Sequence, residues 1–109
     1  MKIMQGDSYP IYIELSQDGG PLLPEVLDEL EICVGEAMRK LMSDGGAQFD
    51  EDSNRWYIHP TQQETFALDA GRAYKVQARP RYKNSAPEQV IGVTLGWIQV
   101  EGSNSKEVI

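Results

Sequence analysis

The stretch Tyr74–Lys83, YKVQARPRYK, alternates from end to end. Tyr74, Val76, Ala78, Pro80 and Tyr82 fall on one side, and Lys75, Gln77, Arg79, Arg81 and Lys83 on the other. A pleated strand sends successive side chains to opposite faces, whereas a helix would wrap the same pattern around its axis. A ten-residue amphipathic strand needs an antiparallel sheet with one face on a core and one in water. Pro80 has no N–H to give to a ladder, so the strand is expected at an edge, or with a bulge at that position.

The same period recurs. In YPIYIEL, Ile11, Ile13 and Leu15 oppose Tyr12 and Glu14; in ELEICV, Leu30, Ile32 and Val34 oppose Glu29, Glu31 and Cys33. VIGVTLGWIQV changes phase: Ile91, Val93 and Leu95 share one face, while Ile98 and Val100 belong to the other register. Gly96 stands at the break and predicts a bulge. Turns are expected at QDGGP (17–21), SDGG (43–46) and KNSAPE (83–88), the last as a hairpin connection. Helical signals are short. TQQE is a capping box with Thr61 and Glu64, DAG soon ends it, and PEVLDEL suits one turn. GEAMRKLM fits a helix or a strand after Gly35. Together these predict an all-β chain, an antiparallel sandwich or barrel of about seven strands with one short helical turn.

At 109 residues the chain makes one domain, which buries roughly 65% of its unfolded surface and needs no staple. The domain is expected over residues 1–100, with a polar tail over 101–109, either flexible or a docking strand. Cys33 is the lone cysteine, so no internal disulfide forms, and synthesis in a reducing cytoplasm is expected. MKIMQGDSYP lacks the apolar core of a signal peptide, and no run reaches membrane-spanning length. A net charge of −7 speaks against nucleic acid as partner. The charge is uneven: residues 1–52 carry twelve acids and three bases, residues 53–109 five acids and seven bases. Such polarity arises by chance or marks a molecule with an acidic and a basic side.

Candidate chemistry is sparse. Gly6-Asp7-Ser8 resembles the nucleophile block of GDSL-type esterases, but the sole histidine, His59, is preceded at minus three by Trp56 rather than Asp. A serine with no base is no nucleophile at neutral pH, and Gly-Asp-Ser reads as a corner before a strand. Asp50, Asp52 and Asn54 have the opening spacing of a calcium loop, yet Arg55 and Thr61 stand where Gly and Glu are required. His59 and Cys33 are too few for a zinc site. No cofactor, metal or catalytic group is expected. The exposed row Lys75, Arg79, Arg81 and Lys83 is either a charged edge that blocks strand pairing or a surface for an acidic partner. The Glu29/Glu31 face of a second copy is one candidate for that partner. Trp56 and Trp97 read as core aromatics, with Trp97, beside the register break, the one open to exposure.

MKIMQGDSYPIYIEL, PEVLDELEICVGE, WYIHPTQQETFAL and YKVQARPRY…VIGVTLGWIQV together resemble small structural proteins of prophages and tailed phages of Gram-positive bacteria, and the N-terminal domain of baseplate upper proteins. The resemblance spans Gly6 to about Val100. It rests on a Gly-Asp-Ser/Thr turn into a strand, a Thr-Gln-rich turn before Tyr-x-Val-Gln-x-Arg, and a closing Val-Ile-Gly strand. It implies an Ig-like β-sandwich in a virion or its assembly intermediates: a tail, baseplate or head-completion component that is not an enzyme. Its partners would be other virion proteins and copies of itself, with neither nucleic acid nor membrane involved. Baseplate upper proteins continue into a longer C-terminal region, whereas this sequence reads to Ile109, so a stand-alone component is the expectation. A surface or carbohydrate-binding sandwich, with Trp97, Trp56 or tyrosines as the platform, is the alternative.

Overall fold

A computed structural model describes residues 1–83 and 90–109. The turn expected over KNSAPE lies almost wholly outside the described residues. The chain is all-β. Its strands are β1 (Lys2–Met4), β2 (Ile11–Ile13), β3 (Ser16–Gln17), β4 (Gly20–Pro21), β5 (Leu27–Val34), β6 (Met38–Leu41), β7 (Ala47–Asp50), β8 (Arg55–Ile58), β9 (Ala73–Tyr82) and β10 (Val93–Glu101). That is ten strand segments among the described residues rather than about seven, because segments of two or three residues are too short to leave an alternation. A 3₁₀ turn (Pro24–Val26) and a short helix, α1 (Gln62–Phe66), complete the elements among the described residues.

Five strands form one sheet in the order β1-β10-β9-β5-β6, and three form a second, β2-β8-β7. β3 and β4 make a separate hairpin, closed by Asp18 and Gly19 at φ 52° and 81°. Two successive positive φ values give the strands the twist a tight hairpin needs, which is why Asp-Gly stands there. β1 runs parallel to β10, and every other pairing is antiparallel. GEAMRKLM resolves as strand β6, paired to β5 from Val34↔Met38 to Glu31↔Leu41.

Alternation turns directly into burial. Leu30, Ile32 and Val34 of β5 are fully buried, as are Ile98 and Val100 of β10, and all five join Ile11, Ile13, Trp56 and Ile58 of the smaller sheet in one cluster. Each such aliphatic side chain contributes about 1.5–3 kcal/mol on burial. Trp56 is the largest of the fully buried group; its indole N–H donates to the Leu22 carbonyl at 2.8 Å, and its ring meets Phe49 edge-on at 5.4 Å.

One expectation needs correction. β9 is not an edge strand, since it lies between β10 and β5. Its pairing with β10 stops at Ala78↔Val93, so Pro80 sits just past the ladder on that side and opposes Leu30 on the other. The irregularity near it lies in β5, between Leu27 and Glu29. Ile91 and Val93 are exposed, and Leu95 is half-buried. The bulge in β10 falls where Gly96 marks it, between Thr94 and Gly96, with Gly96 at φ 153°.

The corner where the chain passes from one sheet to the other is pinned by several side chains. Thr65 in α1 is fully buried; its Oγ1 accepts from the Gly6 N–H at 2.9 Å and donates to the Asp7 carbonyl at 2.8 Å. Gly6 has φ 91° and lies against Phe66, where a Cβ would stand 2.7 Å from the ring. The Asp7 carboxylate accepts from the Met4 N–H at 2.9 Å, and His59 Nε2 donates to the Ser8 carbonyl at 2.7 Å. Gly-Asp-Ser is the corner from β1 into β2. The TQQE capping box forms as read, with Thr61 and Glu64 satisfying each other's backbone N–H.

Glu64 also receives Lys40 Nζ at 2.8 and 2.9 Å, tying α1 to β6. Burial pushes the Glu64 carboxyl up, but the bonds from Lys40 and Thr61 outweigh it and hold it below the ordinary value. A depressed carboxyl stabilises the fold fully above the unfolded value of about 4.3, and the gain is lost as pH falls through the lower folded value. Glu64→Gln keeps the capping box but loses the ion pair with Lys40, so it is expected to be less stable than the parent at pH 7 by about 1 kcal/mol, with the gap closing in acid. Thermal denaturation at pH 7 and pH 3 checks this.

Candidate interaction face

The residues singled out on β5, β9 and β10 share one surface, the outer face of the five-stranded sheet. Register puts them side by side: Trp97 beside Lys75, Arg79 beside Glu31, and Arg81 beside Glu29. β9 and the turn after it supply Lys75, Arg79, Arg81 and Lys83, and β6 adds Arg39; β5 supplies Glu29 and Glu31.

The acids on this face are engaged within the chain. Arg39 Nε binds one Glu31 oxygen at 2.6 Å, and Arg79 Nε stands 3.8 Å from the other. Glu29 accepts from the Ser43 N–H and hydroxyl and from the Leu30 N–H. Burial pushes the Glu29 carboxyl up, yet those hydrogen bonds, with Arg81 nearby, bring it below its usual range. Part of the uneven charge of the sequence is thus acidic β5 set against basic β9, its pairing partner. Glu29 and Glu31 have cations of their own and make a poor counter-surface for a second copy.

The cations are less committed. Among the described residues, Lys75, Arg81 and Lys83 have no ion-pair partner within 4.0 Å. Lys75 Nζ lies 5.5 Å from the centre of the Trp97 ring, a cation–π contact on the surface. Trp97 is 55% exposed, whereas Trp56 is a core residue at 1%. A large aromatic with basic neighbours has the composition of an interface anchor, since Trp and Arg are enriched where binding energy concentrates.

Cys33 lies between Arg39 and Gln77 on the same face and is half-buried. Burial, then the Glu31 carboxylate, push its thiol above the ordinary value, against weaker pulls from Arg39 and Arg79. A thiol so shifted is a poor nucleophile. Among the described residues no three His, Cys, Asp or Glu side chains gather into a metal site, and no helix is long and apolar enough to cross a membrane. The Asp50 carboxylate closes its own turn, accepting from the Asp52 N–H at 3.1 Å and the Ser53 hydroxyl at 2.8 Å.

Sequence reasoning missed Thr65, which joins the two turns most distinctive of the resemblance, Gly-Asp-Ser and Thr-Gln-Gln. Nothing local marks a threonine in a five-residue helix as a buried hub. Comparisons with protein-family models, with curated proteins and with solved structures find no match.

Proposed function

We propose that the chain is a non-enzymatic structural or assembly protein of a tailed phage or prophage, an Ig-like β-sandwich that joins other virion proteins through the outer face of its five-stranded sheet. The observation that carries the contact is Trp97, exposed beside Lys75 at one end of the basic row. The virion setting rests on the resemblance of the Gly-Asp-Ser, Thr-Gln-Gln and Tyr-x-Val-Gln-x-Arg segments.

The strand order supports the Ig-like assignment. Lettering β2, β5, β6, β7, β8, β9 and β10 as B, C, C′, D, E, F and G gives B-E-D in one sheet and G-F-C-C′ in the other, the arrangement of that class. Tyr74 near the start of β9 accepts the Asp69 N–H on its hydroxyl at 2.7 Å, the tyrosine corner of such sandwiches. Val76, two residues on, stands where disulfide-bonded members carry cysteine, and the core tryptophan sits on β8 rather than on strand C. Within a virion the chain would work by docking, with partner specificity set by Trp97 and the cations around it.

A surface or carbohydrate-binding module is the second reading, because the exposed Trp97 ring suits stacking on a sugar as well as on a protein. Mass spectrometry of purified particles from the source lysate separates the two. The assembly reading predicts the chain in fixed ratio to the other particle proteins; its absence from particles, with retention on a polysaccharide column, favours the second.

A further inference from the structure

The two outer faces of the molecule carry opposite charge. On the three-stranded sheet, register sends Tyr12, Tyr57, Gln48, Asp50 and Arg55 away from the core, because their neighbours Ile11, Ile13, Ala47, Trp56 and Ile58 are buried. Tyr12 and Tyr57 pack with centroids 5.4 Å apart, and Arg55 covers the Tyr12 ring at 4.3 Å. The turn at the end of β7 adds Glu51 and Asp52, both exposed. Tyr12, Tyr57 and Phe49 with Asp50, Glu51 and Asp52 line a shallow concavity of about 460 Å³. With Arg55 on the Tyr12 ring and Asp50 closing its own turn, the exposed Glu51 and Asp52 carboxylates are the groups left to attract a cationic side chain.

We propose that this acidic, aromatic face receives the basic Lys75/Lys83 face of a second copy, so that molecules stack head to tail. The inference rests on the assembly reading and names a partner for the face already described. The contact joins two different surfaces, so each molecule keeps one free face of each kind. Stacks of this type close into rings where the rotation allows and otherwise extend.

Each copy carries −7, and this net repulsion opposes stacking. It acts over about 30 Å at 0.01 M salt but only about 10 Å at 0.1 M, while charges in contact persist at the higher salt. Association is therefore expected at about 0.1 M salt and lost near 1 M, where the screening length falls to about 3 Å.

The test is light scattering coupled to size exclusion on the full chain at rising concentration. The parent is expected to exceed monomer mass at 0.1 M salt. The double substitutions Lys75→Ala with Lys83→Ala, and Glu51→Gln with Asp52→Asn, each remove charge from exposed side chains without reversing it and are each expected to weaken association about tenfold or more. Mixed in equal amounts, the two variants each offer one intact face and are expected to form 1:1 pairs that grow no further. A parent that stays monomeric at 0.1 M salt overturns the proposal, as does a mixture that forms no pairs. A monomeric chain still present in particles overturns the stacking and leaves the assembly reading in place; absence from particles as well removes both.

Discussion

Trp56→Ala is expected to lower the melting temperature by about 20 °C. Truncating a buried tryptophan costs about 3–5 kcal/mol, and each kcal/mol moves the midpoint of a domain this size by roughly 4–8 °C. Trp56 is 1% exposed, reaches Leu22 by its indole N–H and packs edge-on against Phe49. Three elements, β8, β7 and the segment before the 3₁₀ turn, lose contacts together. Domain stability is about 5–15 kcal/mol, so the variant retains a small margin or none. Trp56→Phe separates packing from the hydrogen bond: it keeps a ring but leaves the Leu22 carbonyl without its donor, for about 1–3 kcal/mol. Denaturant unfolding of the two variants checks the order. Equal losses would mean that the N–H, not the ring, dominates.

Thr65→Val is expected to cost about 3 kcal/mol, although it changes the side-chain volume little. The hydroxyl serves the Gly6 N–H and the Asp7 carbonyl at one fully buried position. Valine leaves both groups unpaired, at about 1–3 kcal/mol each, with some recovered where the corner opens to water. Thr65→Ser keeps the hydroxyl and loses a methyl, for about 0.8 kcal/mol. Amide exchange at Gly6 should quicken in the valine variant and not in the serine variant. Equal stability of the two would show that the hydroxyl does not hold the corner.

The contrast between Trp56 and Thr65 marks how far the sequence could be read. Burial of Leu30, Ile32, Val34, Tyr74 and Val76 follows from a period of two, because the pleat itself separates the faces. Gly96 gave away its bulge and Thr61-Gln62-Gln63-Glu64 its cap, since both are local devices. Pairing is not local. That β9 runs between β5 and β10, and that Glu29 and Glu31 face Arg81 and Arg79, depends on register across dozens of residues. Pro80 misled for the same reason: a proline needs a side without a ladder, and the end of the β10 pairing provides one inside the sheet. The seven residues proposed for contact do lie on one face, because alternation fixes sidedness. Their division into acids bound within the chain and cations left open needed the fold. The Tyr12–Tyr57 face went unread since its two tyrosines come from strands far apart in sequence.

The central claim is that the Trp97 face makes the virion contact. It is tested most directly by competition during assembly. The parent chain and a Trp97→Ala, Lys75→Glu variant, expressed at equal levels in cells producing particles, would be quantified in purified particles by mass spectrometry. Both side chains are exposed, so the variant is expected to fold with little change in stability. The account predicts particles enriched in the parent by about tenfold or more, as for loss of an anchor residue. Equal incorporation of the two would contradict it and move the contact to another surface.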